Sequence, residues 1–205
     1  MSKEQKKFFI EVMIQVLCII LFTIWIVVVG KPENPDSIPL ETERKWIIDV
    51  DNIPYNLDTA DRYEITQTYI NFSPEIRVRE IGCYRGDTEL GTYYTMTIKR
   101  YINEDAMTRQ EVDMQITQDE YNNMLLKKDP NGETIYKTRY QIEVDDLTYA
   151  FDIFKDQLDG LAYLEIEFNS EEEANAFKQA DWMIKDVTND RGYKNQSLAK
   201  FGIPE

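Results

Sequence analysis

Two patterns of apolar residues divide the chain. From Phe8 to Val29 the residues are almost continuously apolar, interrupted by Glu11, Gln15 and Thr23. Val12–Val29 alone would make ~27 Å of helix at ~1.5 Å per residue, close to the thickness of a hydrocarbon core. The run predicts a transmembrane helix over residues 8–30. It is too long for the apolar region of a cleaved signal peptide, although Val28-x-Gly30 passes as a weak cleavage site. Before it stands a basic tail, residues 1–7, with Lys3, Lys6 and Lys7; after it, Pro32, Pro35 and Pro39 stiffen a linker over 31–39. Lysines before the span and a net acidic flank after it place the N-terminus in the cytoplasm and the rest outside, in a single-pass cell-membrane protein.

From Leu40 onward apolar and polar positions alternate with the period of two that marks strands. Strands are predicted over 40–48, 63–71, 75–82, 92–101, 109–116, 133–142, 147–154 and 161–168, separated by Gly, Pro, Asn and Asp signals. Helical patches fit 118–126, 170–179 and 194–201. Ser170 followed by Glu171, Glu172 and Glu173 supplies an N-cap and acids for the first turn. Residues 40–205 therefore read as one mainly β (α+β) domain.

The polar positions of these strands are not ordinary. In Leu40–Ile48, alternation puts Glu41, Glu43 and Lys45 on one face and Thr42, Arg44 and Trp46 on the other. Burying such charges unpaired costs several kcal/mol each, so they face water or a polar cavity. Later strands repeat the device. Arg77 and Arg79 flank Val78; Lys99 follows Thr95 and Thr97; Arg109, Glu111 and Asp113 share a face, as do Lys137 and Arg139; Asp152 sits in an apolar strand; Glu165 and Glu167 flank Ile166. If the sheet closes, these faces line a lumen. Grouped carboxylates suit a hard divalent cation, and grouped arginines suit phosphate oxygens, which the planar fork grips bidentately. Metal plus basic clamp is the equipment of phosphoryl transfer. The competing reading is a surface of ion pairs.

Composition narrows the chemistry. The net charge of −15 argues against wrapping a nucleic-acid backbone, without excluding an anion held in a locally basic cavity. The chain has no histidine, which removes Ser–His and Cys–His catalysis and any His-ligated metal. Two cysteines, Cys18 and Cys83, give the domain no internal disulfide framework. Trp46, Trp182 and most tyrosines read as packing residues, with Tyr69 the exception, a candidate to line the mouth of a lumen.

The order of these doublets resembles the CYTH superfamily, the triphosphate tunnel metalloenzymes. Glu41-x-Glu43-x-Lys45 is similar to that family's signature strand. The likeness continues through Gln67-Thr-Tyr-Ile70, Arg77-Val-Arg79, Thr97-Ile-Lys99, Arg109-Gln-Glu-Val-Asp113, Lys137-Thr-Arg139, Asp152, Leu164-Glu-Ile-Glu-Phe168, Asp186-Val-Thr188 and Tyr193-Lys-Asn195. The resemblance implies an eight-stranded antiparallel closed β-barrel tunnel with outer helices, binding a triphosphate-containing small molecule with Mg²⁺ or Mn²⁺. It implies Glu41, Glu43, Glu165 and Glu167 as metal ligands, with Asp113 and Glu111 at a second ion. Lys45, Arg77, Arg79, Lys99, Lys137 and Arg139 would hold the phosphates. Arg109 would join them or pair with Asp113, and Asp152 would ligate metal or orient a base. Asp113 is one methylene shorter than the glutamate often found there, and a membrane anchor is not typical of the family.

The implied function is a membrane-anchored, metal-dependent hydrolase of inorganic triphosphate. Without histidine, a metal-bound water or a lysine, for which Lys45 is the candidate, serves as base. Thiamine or nucleoside triphosphate hydrolysis and adenylate cyclase activity are alternatives within the fold. A non-catalytic polyphosphate-binding module at the membrane is the alternative of another class. The sequence leaves the oligomeric state open.

Overall fold

Alternation in the sequence becomes a single antiparallel sheet in the computed structural model, which describes residues 40–101 and 108–205. Its strands are β1 (Leu40–Ile48), β2 (Asp61–Phe72), β3 (Glu75–Arg85), β4 (Thr88–Tyr101), β5 (Thr108–Ile116), β6 (Ile135–Val144), β7 (Leu147–Phe154), β8 (Ala162–Phe168) and β9 (Met183–Asp186). The helices are α1 (Gln118–Leu125), α2 (Glu171–Ala176) and α3 (Asn195–Phe201). The β6–β7 connection is a two-residue hairpin loop. Asp145 and Asp146 both have positive φ there, 49° and 65°, the pattern that matches the twist of adjoining strands. α1 opens on a reciprocal capping box between Thr117 and Glu120. Ser170 caps α2 as its sequence predicts, but that helix ends at Ala176, short of residue 179.

The expectation of an eight-stranded closed barrel is corrected. The sheet has nine strands in the order β5-β4-β3-β2-β6-β7-β8-β1-β9, with β5 and β9 at the ends of the order. It curls enough for β1 to touch β5 over a short pairing, Leu40↔Gln110, Glu41↔Arg109 and Thr42↔Thr108. β9 was not anticipated. Its four residues are too few for a legible alternation, and their place is set by pairing with Trp46 and Ile47 of β1. The membrane-spanning expectation finds no support in the described residues. Among the described residues no helix is long and apolar enough to cross a membrane. The basic tail, the apolar segment 8–30 and the linker on which the single-pass location rested lie outside the described residues.

Two apolar clusters bracket the charged face. The first lies on the opposite face of β1, β7 and β8. There Trp46, Ile48, Phe151, Leu164, Ile166 and Phe168 pack under Ala174 of α2, with Phe177 and Trp182 against them. Arg44 points to this side, donating to the Ala174 and Phe177 carbonyls at 2.8 and 3.0 Å and pairing with Asp186. It thereby satisfies carbonyls at the end of α2, while its guanidinium lies 4.7 Å from the Trp46 ring centre.

The second cluster uses the charged face itself. One alternation step beyond Lys45, Gln67, Lys137, Asp152 and Glu165 come Ile47, Tyr69, Ile135, Phe154 and Tyr163. These apolar and aromatic side chains gather around Leu198 and Ala199 of α3. The same face is thus charged along most of its length and apolar where α3 covers it.

Candidate functional site

A cavity of about 210 Å³ lies against the charged face. β1 supplies Glu41, Glu43 and Lys45 to its lining, and β8 supplies Glu165 and Glu167. Glu75, Arg77 and Arg79 come from β3, Lys99 from β4, Glu111 and Asp113 from β5, and Lys137 and Arg139 from β6. Seven acids and seven bases therefore meet in one cavity once Lys194 of the turn before α3 is included. The signs are sorted by strand. Four carboxylates come from the neighbouring strands β1 and β8, and arginines and lysines dominate β3, β4 and β6.

Register explains the sorting. Glu43 stands directly opposite Glu167 across β1 and β8, and Lys45 opposite Glu165. Like charges directly opposite each other destabilise a sheet, and a bound cation offsets that repulsion. On the other side, Glu75 faces Lys99 and Arg77 faces Thr97 across β3 and β4, while Lys99 faces Glu111 across β4 and β5.

Two ion-pair networks hold the basic side chains in place. In one, fully buried Asp152 accepts from Lys137 at 2.5 Å and from both Nε and Nη2 of Arg139 at 2.7 Å. Arg139 reaches on to Glu165, and Glu165 pairs with Lys45 at 2.7 Å. In the other, Glu111 accepts from Arg77 at 3.1 Å and also pairs with Lys99. Arg79 donates to both oxygens of Asp113, at 3.1 and 3.0 Å, and to Thr95 and Thr97.

These contacts set the protonation states. Burial raises the Glu165 carboxyl, but Lys45, Arg139 and Lys137 outweigh it and hold the group well below the usual carboxylate range. Burial lowers Arg139, yet Asp152 and Glu165 more than restore its charge, leaving it above its ordinary value. Arg77 is likewise raised, burial notwithstanding, by Glu111. Arg79 is lowered by burial and by its neighbour Arg77. Lys137 is brought down to about 8, chiefly by burial, with Asp152 opposing the shift.

Of the residues expected at the site, the structure gathers all but two around the cavity. Asp152 does not line it. It sits behind the wall with its carboxylate occupied by Lys137 and Arg139, so it orients those bases. The side chain of Arg109 lies outside the described residues; its backbone pairs with Glu41. Tyr69 does not line a mouth. It is buried in the α3 cluster, accepts from Gln67 at 3.0 Å and stacks on Phe72.

Sequence reasoning missed Glu75, and it gave no role to Lys194, Asn195 or Gln196, all of which line the cavity. Glu75 shares the alternation of Arg77 and Arg79, so its signal was present. The other three arrive through the docking of α3, which strand periodicity does not report.

No family model matches the chain. It is 36% identical over 167 residues to the inorganic triphosphatase of Nitrosomonas europaea, covering 80% of this chain and 99% of that protein. The chain belongs to the CYTH family of triphosphatase relatives. A 66-residue stretch is also 36% identical to the inorganic triphosphatase of Acetivibrio thermocellus, covering 32% of this chain and 41% of that protein. The crystal structure of the inorganic triphosphatase NE1496 superposes with a TM-score of 0.53 at 29% identity, covering 80% of this chain and 97% of that one.

The donors of this CYTH protein fit a hard divalent cation in kind. Glu41, Glu43, Glu165 and Glu167 offer carboxylate oxygens from adjacent strands, and two of them stand opposite each other across the sheet. They are not drawn into a finished coordination shell: among the described residues no group of three or more Asp, Glu, Cys or His is placed to hold a metal.

Proposed function

We propose that this CYTH protein hydrolyses inorganic triphosphate to diphosphate and phosphate with the help of a divalent cation, Mg²⁺ or Mn²⁺. The observation that carries the reading is the cavity lining, carboxylates grouped on β1 and β8 facing arginines and lysines on β3, β4 and β6. Glu41, Glu43, Glu165 and Glu167 are the ligands assigned to the cation, with Asp113 and Glu111 toward a second. A cation bound there supplies charge neutralisation and Lewis acidity to phosphoryl oxygens.

Cavity size and lining favour inorganic triphosphate over a nucleoside or thiamine triphosphate. Pockets for drug-sized ligands usually hold ~300–1,000 Å³, against about 210 Å³ here. Among the described residues no aromatic side chain lines the cavity to stack on a base or a thiazole.

In this reading Arg77, Arg79, Lys99 and Arg139 hold the phosphate oxygens in line for attack and neutralise charge as the terminal bond lengthens. Water attacks the terminal phosphorus, and the departing oxygen leaves on diphosphate. Lys45, the lysine that the sequence suggests as base, pairs with Glu165 at 2.7 Å. Lys137 has better support. It lines the cavity, titrates near 8 and is aimed by Asp152. As a neutral amine it still donates to Asp152 and keeps a lone pair to take the proton of the attacking water.

This assignment fixes the sign of the pH dependence. Lys137 of the free protein changes from ammonium to amine as pH rises through about 8. kcat/KM for tripolyphosphate is therefore expected to climb through that range and then level off, since this parameter reports the free enzyme. Lys137→Met is expected to lower kcat/KM by roughly 10²–10⁴-fold and to remove the inflection. A profile that falls through pH 8 would instead make Lys137 a phosphate clamp that works only when charged.

A further inference from the structure

Glu75 is the anomaly of the cavity. It lines the wall, is 6% exposed, and its Oε2 has no hydrogen-bond partner. No described residue forms an ion pair with it, although the cavity holds seven bases. The reason lies in its neighbours. Arg77, two residues along β3, and Lys99, opposite on β4, both direct their charge to Glu111. A buried carboxylate left this way is costly and calls for an explanation in function.

Its position supplies one. Glu75 of β3 pairs with Phe72 of β2, and Phe72 packs against the apolar cluster around Leu198 and Ala199 of α3. Lys200 of α3 lies 4.1 Å from the Phe72 ring centre. Glu75 therefore stands at the α3-covered end of the face, one alternation step beyond Arg77 and two beyond Arg79. A phosphate chain gripped by those arginines and extended further would bring its next anionic unit against a carboxylate that makes no ion pair, at the end of the face that α3 covers. Close like charges inside a protein are weakly screened, so the repulsion is strong.

We propose that Glu75 is a specificity-determining residue: its carboxylate and the end of α3 form an inner stop that confines the cavity to short phosphate chains and rejects longer linear polyphosphates. This rests on the triphosphate reading above. In it Glu75 holds no substrate and no cation; it acts by repelling the next phosphate.

The test uses the full chain, wild type and Glu75→Gln, with tripolyphosphate and long-chain polyphosphate. Two readouts are taken: thermal stabilisation by each anion, and kcat/KM for phosphate release. Glutamine keeps the shape and removes the charge. The expected result is a rise of about tenfold in the preference ratio of long chain over tripolyphosphate, seen in both readouts and arising from a lower KM for the long chain. Glu75→Ala should move the ratio the same way. An unchanged ratio in both variants overturns the inference, as would a variant that needs more Mg²⁺ for tripolyphosphate while its ratio stays fixed, because that would make Glu75 a cation ligand. Wild-type protein stabilised by tripolyphosphate but releasing no phosphate would overturn hydrolysis, and the stabilisation ratio would still decide on Glu75.

Discussion

Replacing Asp152 with alanine is expected to destabilise the fold by about 3–5 kcal/mol, the cost of removing one partner from a buried ion pair. Asp152 is fully buried, and three short hydrogen bonds from Lys137 and Arg139 end on it. Without it, Lys137 has no remaining ion pair among the described residues, and Arg139 retains Glu165. For a domain of this length the loss corresponds to a fall of roughly 10 °C in thermal midpoint. Asp152→Asn keeps an acceptor and should lose less. Denaturant and thermal unfolding of the two variants measure the difference. A cost under about 1 kcal/mol in the alanine variant would mean that water reaches the two bases and that the wall is looser than its contacts indicate.

Arg77→Ala is expected to lower kcat/KM for tripolyphosphate by about 10²–10³-fold, the range found when one preorganised charge-stabilising donor is removed. Arg77 presents a buried guanidinium whose charge Glu111 secures. Arg77→Lys retains the charge but not the planar fork, so an intermediate loss is expected. Glu111 keeps Lys99 in both variants, which limits the effect on stability. Steady-state kinetics beside a melting curve separate the two effects. Unchanged kinetics in a folded Arg77→Ala protein would leave the guanidinium as a strut for Glu111 and nothing more.

What the sequence made legible was the face of each strand. Alternation in Glu41-x-Glu43-x-Lys45 and Glu165-x-Glu167 puts every one of those charges on the cavity side, and puts Trp46 and Ile166 in the packed layer behind. It works because the side-chain period of a strand is two, whatever the strand's neighbours are. How the strands are ordered is a different kind of information. The nine-stranded order, the addition of β9 beside β1 and the short meeting of β1 with β5 depend on long-range pairing, which no local pattern encodes.

The site divides along the same line. Arg77 and Arg79 were legible because they are consecutive on one face. Glu75 continues that face but stood at a predicted strand end, where charge is ordinary. The placing of Asp152 behind the wall depends on how Lys137 and Arg139 turn toward it, a rotamer choice made by packing. Tyr69 was misplaced because alternation tells which face a residue takes and not how far along that face α3 reaches.

Phosphate release from the full chain, given tripolyphosphate, ATP or thiamine triphosphate, each with Mg²⁺, Mn²⁺ or EDTA, decides whether this protein is a metal-dependent triphosphatase. Glu43→Ala protein serves as the control for contaminating phosphatase. The expected result is fastest release from tripolyphosphate, dependent on the divalent cation and lost in the Glu43→Ala protein. Binding of tripolyphosphate with no release under any condition would contradict it and leave a polyphosphate-binding protein in its place.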